Sequence, residues 1–191
     1  ISLGSDWSWG HVVESSNGVF SWHGVLVGWF LAVPLGLFGI IGAKIAMIAL
    51  GAAFAWVVYL LSGQVFSSVR LRLAVSLVLV LTYPLLLASN QIFPDLPAGG
   101  LALLGLYWLI REVNARSADS AKSEKARPVV TFVVAFLVAL LPWVGIKYAP
   151  IAAVILIALL IVSKSKVSVV LAGAVSAVLL MAFQWYAYDS P

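Results

Sequence analysis

Apolar residues run along this chain in long unbroken stretches, and polar residues gather in the short gaps between them. Residues 129–145 and 167–183 are apolar on every face, without the period-two alternation of a half-buried strand. Helices that are apolar all round sit inside a large core or in lipid. Further apolar runs cover 73–88, 101–110 and 149–162. The first two flank the turn-rich segment 90–97, whose two prolines stop helices, so they are expected to form a helical hairpin. The stretch 19–61 is interrupted by Pro34, Gly36, Gly39, Gly42 and Lys44. It predicts either two short spans, 19–41 and 43–61, or one span with a re-entrant piece, with Pro34 supplying the kink.

This pattern predicts an all-α integral membrane protein, a bundle of six to seven apolar helical segments of which one is re-entrant in the second reading. It divides into a polar, aromatic N-terminal segment (1–18), a broken helical hairpin (19–62) and a C-terminal helical bundle (63–191) with a solvated loop at 111–127. Composition agrees. The chain of 191 residues is 63% hydrophobic and 9% charged, where a soluble domain carries roughly a quarter charged residues. Its mean hydropathy is +1.11. Only helices and closed barrels satisfy their backbone polar groups in lipid, and barrel strands of about ten alternating residues are not seen here.

The formal charge of +4 does not point to nucleic acid, because the bases occupy the gaps between apolar runs, where they act as topology signals. No nucleic-acid partner is expected. The segment 111–127 carries Arg111, Arg116, Lys122, Lys125 and Arg127, which predicts a cytoplasmic loop. Alternation then puts 90–97 outside, Arg70 and Arg72 inside, Lys147 outside, Lys164 and Lys166 inside, and the C-terminus outside. Lys147 runs against the charge rule, although a lysine beside Tyr148 can snorkel to an interface. The side of the base-free segment 1–18 depends on the crossing number of 19–62, and charge favours the outside. Segment 1–18 also lacks the basic start of a signal peptide. Trp22, Trp29, Trp56, Trp108, Trp143 and Trp185 are expected as interfacial anchors. The expected location is a multi-pass position in a bacterial inner membrane.

Candidate chemistry is sparse. Cysteine is absent, which removes disulfides, thiolate metal sites and cysteine nucleophiles. His11 and His23 are the two histidines; a haem bridging them is one alternative, but membrane haem proteins of the b type need histidines on several helices, and none follows His23. Lys44 and Lys147 lie between apolar runs with no acid nearby in sequence, and Asp95 sits in the outer turn. These three are the candidate polar contacts, since a charge near hydrocarbon is costly. Gly36, Gly39, Gly42, Ala172, Gly173 and Ser176 are spaced to let helices approach closely and are the candidate packing residues. No nucleophile triad, zinc-binding His-Glu-x-x-His or phosphate-binding glycine loop is present. The chain is therefore read as non-enzymatic, without catalytic residues, metal or cofactor.

From about Arg70 to Pro191 the arrangement has a basic start at Arg70 and Arg72, a span, the outer turn Phe93-Pro-Asp-Leu-Pro, and a second span. A charged loop follows, then the glycine-bearing break Val144-Gly-Ile-Lys-Tyr-Ala, the basic gap at Lys164 and Lys166, and a last span to Phe183. This layout resembles the small membrane subunit of tripartite tricarboxylate transporters. The family's glycine-rich turn with two phenylalanines before proline is only partly present, and 19–61 has no counterpart there. The resemblance implies an accessory subunit beside a larger permease that receives carboxylates from a periplasmic binding protein, with no catalytic residue. The reading is thus a subunit of a larger membrane complex, partnered by lipid and a larger membrane protein. The alternatives are a stand-alone transporter or channel and a haem-bearing electron-transfer subunit.

Overall fold

The computed structural model describes residues 12–15, 18–21, 25–82, 94–117 and 127–188. Two short strands, β1 (Val12–Ser15) and β2 (Gly18–Ser21), pair antiparallel with Val12 opposite Ser21. The apolar stretch that opens at residue 19 therefore begins as a strand, and its helix, α1 (Val25–Ser62), starts at Val25. The remaining described elements are α2 (Val69–Leu81), α3 (Asp95–Ser117), α4 (Arg127–Ala139), the single turn α5 (Leu141–Val144), a 3₁₀ turn (Ile146–Tyr148), α6 (Ala149–Val162) and α7 (Lys166–Tyr188).

Helix α1 is two arms joined at Gly39, whose φ of +61° lies in the left-handed region that a Cβ disfavours. Pro34, expected to make the kink, lies inside the first arm, and the break falls instead where glycine allows the chain to reverse. The arms fold back on each other. Leu31 is buried in one cluster with Ala43 and Met47, and Val27 and Phe54 both pack against it. In a straight helix Val27 and Phe54 would stand about 40 Å apart. The reversal needs Gly42 as well, since a Cβ there would collide with the Pro34 carbonyl oxygen. The first arm, 25–38, reaches about 21 Å and the second, 40–62, about 34 Å at the usual helical rise. Only the second is long enough for a roughly 30 Å hydrocarbon core.

Helices α3, α4, α6 and α7 share the main core, in which Ala135, Val138, Leu141, Leu159 and Ala172 are fully buried. Small residues set the spacing. A Cβ on Gly105 of α3 would stand 2.6 Å from Val138 Cγ2 and 2.9 Å from Ile155 Cγ2, so this glycine is where α3, α4 and α6 converge. Helix α4 stops because Pro142 has no N–H to offer the carbonyl one turn back. The Trp143 N–H bonds the Leu140 carbonyl, and the Ala139 carbonyl accepts instead from the Ser176 hydroxyl of α7 at 2.7 Å. The Trp143 indole N–H donates to the same hydroxyl at 3.2 Å. One turn of broken helix is thereby stitched to α7 by a single serine.

Trp108 and Trp143, expected at an interface, are therefore internal, with exposures of 7% and 5%. Trp108 donates its indole N–H to Thr131 on α4 at 3.2 Å, and the Arg111 guanidinium lies 5.3 Å over its ring. Trp29, Trp56 and Trp185 are exposed, and Trp22 lies outside the described residues. The expected loop at 111–127 begins as helix, because α3 continues to Ser117, and Glu112 on it is buried.

Among the described residues, three helices are long and apolar enough to cross a membrane: Val25–Ser62, Asp95–Ala115 and Lys166–Ala187. The segments Pro128–Val144 and Ile146–Val162 are shorter apolar helices. Substituting Gly105 with alanine is expected to destabilise the bundle by about 1–3 kcal/mol through overpacking. Gly173→Ala, with nothing within 4 Å of its would-be Cβ, is expected to leave stability unchanged or slightly raised. Melting temperatures of both variants in the same detergent check the contrast.

Candidate functional site

The strongest polar constellation among the described residues joins the start of α3 to the turn before α6. Asp95 is the first residue of α3, where a carboxylate meets the positive end of the helix. The break after α5 runs through Gly145 into the 3₁₀ turn that carries Lys147 and Tyr148. Lys147 Nζ lies 2.9 Å from Asp95 Oδ1, and the Tyr148 hydroxyl donates to the same oxygen. Lys147 also sits 4.9 Å over the Tyr148 ring. The Asp95 carboxylate beside it holds the lysine above its ordinary value. Both charged side chains are about three-fifths exposed, at 60% for Asp95 and 63% for Lys147, so the pair is solvent-facing and screened by salt.

This pairing assigns helix ends. Contact at Asp95 with Lys147 and of Gly105 with Ile155 makes α3 and α6 run parallel. Asn114, near the end of α3, donates to Gln64 just past α1 at 3.4 Å, so the second arm of α1 runs the same way. Arg70, Arg72, Arg111, Lys164 and Lys166 consequently gather at the end of the bundle opposite Asp95 and Lys147. Arg72 ties the connection there, donating from Nε to the Phe66 carbonyl at 2.7 Å.

Beside the polar pair lies an apolar cleft of about 320 Å³, walled by both arms of α1, by α3 and by the end of α4. Its α3 wall begins at Leu96, the residue after Asp95, and continues through Gly100 and Leu104. The Phe54 ring, which also lines it, packs closely on Gly99, where a Cβ would stand 3.2 Å from the ring; a Cβ on Gly100 would make an ordinary contact at 3.7 Å.

Of the residues singled out in sequence, Asp95 and Lys147 are brought together and Lys44 is not: it is exposed on the second arm of α1. His11 and His23 lie outside the described residues, as do Asn90 and Gln91. The small residues separate into two groups. Gly42, Ala172 and Ser176 are buried within the fold, whereas Gly36, Gly39 and Gly173 face open space. Sequence reasoning missed Tyr148 as a partner of Asp95 and missed the cleft. The usable signal for the pair was a base, Lys147, at the base-poor end and an acid, Asp95, expected at that same end. An all-apolar cleft leaves no such mark. No protein family, curated protein or solved structure matches this chain.

Reversing one charge, as in Asp95→Lys or Lys147→Asp, is expected to lower the melting temperature in detergent at low salt. The double exchange is expected to recover most of the loss, and added salt to shrink every difference. Two single losses that simply add in the double variant would show that the contact contributes nothing.

Proposed function

We propose that this chain is a multi-pass membrane protein, embedded with the Asp95–Lys147 end outward and the arginine-rich end toward the cytoplasm of a bacterial inner membrane. One observation carries the membrane reading: the long apolar helices leave most of their residues unburied. In the best apolar windows of the three long helices only 11%, 28% and 17% of residues are buried. Leu37, Phe38, Ile41, Val154, Val178 and Trp185 are among the large apolar side chains left exposed. A soluble protein rarely exposes contiguous apolar patches larger than a few hundred Å². The clustering of bases at one end supports the orientation.

Within that membrane the role proposed is a non-enzymatic accessory subunit of a larger assembly, most concretely a solute transport system. The open small-residue positions support this reading. Gly36 on the first arm of α1 and Gly173 on α7 have nothing within 4 Å, so another helix can approach the backbone closely there. The resemblance of residues 70–191 to the small subunit of tripartite tricarboxylate transporters suggests a larger carboxylate permease as the partner.

The protein is expected to stay with the membrane through an alkaline carbonate wash, and release into the supernatant would end the membrane reading. Because the chain lacks cysteine, Gly36→Cys and Gly173→Cys give single reactive positions for a thiol-to-amine cross-linker in native membranes. The subunit reading expects one discrete adduct with the same larger membrane protein from one or both positions. Absence of any protein adduct, together with solute flux by the purified chain in vesicles, would favour a stand-alone transporter.

A further inference from the structure

We propose that the cleft between the arms of α1, α3 and α4 is a binding site for one acyl chain of a zwitterionic membrane phospholipid, whose headgroup meets the Asp95–Lys147 pair. The chemistry of the walls selects the chain. They are formed by leucine, valine, phenylalanine, alanine, proline and glycine, with no side chain able to accept or donate a hydrogen bond, so water and polar solutes find no partner there. An apolar cavity of roughly 150 Å³ stays dry and holds one benzene ring. At about 320 Å³ this cleft has room for about a dozen chain carbons by the same measure.

The polar pair next to it selects the headgroup. Asp95 Oδ1 accepts from both Lys147 and Tyr148, and the carboxylate is still about three-fifths exposed. Lys147 has three ammonium hydrogens and donates to the one carboxylate oxygen. The exposed pair thus offers a cation to a phosphate and a carboxylate oxygen to an amine, side by side, beside Leu96 where the α3 wall of the cleft begins. A phosphate with an attached ammonium, as in phosphatidylethanolamine, complements both charges. An anionic glycerol headgroup complements only the lysine.

This inference rests on the membrane reading, and the two fail differently. Loss of the protein from carbonate-washed membranes removes both; a membrane-retained protein that shows no selective lipid removes only the site. The test is native mass spectrometry of the full chain, exchanged against mixed vesicles of phosphatidylethanolamine and phosphatidylglycerol and then taken into mild detergent. The wild type is expected to retain one phosphatidylethanolamine. Ala53→Phe and Gly100→Leu fill the cleft and are expected to cut that retention by about tenfold, while Leu179→Phe, on an exposed part of α7, leaves it intact. Lys147→Met is expected to abolish the preference for phosphatidylethanolamine while lipid is still bound.

A second measurement uses the unaltered protein, so that a folding defect in the filled variants does not decide the matter. A phosphatidylethanolamine bearing a photoactivatable group midway along its chain is expected to label peptides containing Phe54 and Leu104 in preference to α7. Retention that is equal in the wild type and both filled variants, or photolabel spread evenly over the exposed helices, would overturn the proposal. A preference unchanged in Lys147→Met would overturn its headgroup part.

Discussion

A helix whose outer face is apolar cannot send its polar groups outward, so every break in this fold must be closed from within. The break after Ala139 is the clearest instance. Pro142 ends α4 and the local bonding pattern tightens, which leaves the Ala139 carbonyl with no helical donor. Ser176 supplies one, and the same hydroxyl accepts the Trp143 indole N–H. That serine reaches across because Ala172, one turn earlier on α7, is small and completely buried against the core. Trp108 and Thr131 make the equivalent link between α3 and α4. Among the described residues no buried side-chain nitrogen or oxygen is left without a partner. An unsatisfied buried group costs about 1–3 kcal/mol, comparable to a sizeable part of a domain's net stability.

The same constraint explains where charge appears. Asp95 and Lys147, 52 positions apart, meet at the end of the bundle where the chain turns before α3 and before α6. Lys147, set apart from the bases gathered at the opposite end, becomes intelligible once its carboxylate is in place. The Tyr148 hydroxyl, the lysine and the positive end of α3 all favour an ionised Asp95, and the opposite end of the bundle keeps its arginines and lysines free of this acid. Polar contact, helix direction and the proposed orientation are three aspects of one arrangement.

Most helix positions were legible in the sequence because uninterrupted apolar runs have one structural meaning, and the breaks at 145 and 163–165 were marked by glycine and lysine. Helix α3 nevertheless starts at Asp95, inside the turn expected over 90–97, because Pro97 falls in its first turn, where no helical N–H is required. Three further features were not legible. Pro34 looked like the stronger helix breaker, but the reversal needed positive φ, which glycine supplies and proline cannot. Trp108 and Trp143 resembled interfacial tryptophans because a lone indole is amphipathic anywhere; only Thr131 and Ser176, far away in sequence, reveal that their N–H groups turn inward. Helix α3 outlasts its apolar run by a full polar segment to Ser117, since arginine, glutamate and alanine are good helix formers even where hydropathy falls. For the candidate site, the residue types were visible and their meeting was not, because pairing across two turns is a property of topology.

In the proposed embedding a membrane separates the Asp95–Lys147 end from the arginine-rich end. The absence of cysteine makes this directly measurable by labelling single cysteines at positions 147 and 164 with a membrane-impermeant maleimide in sealed vesicles of known orientation. The account predicts that Lys147→Cys is labelled from the periplasmic side and Lys164→Cys only from the cytoplasmic side. Labelling of both from the same side, with the vesicles intact, would contradict it.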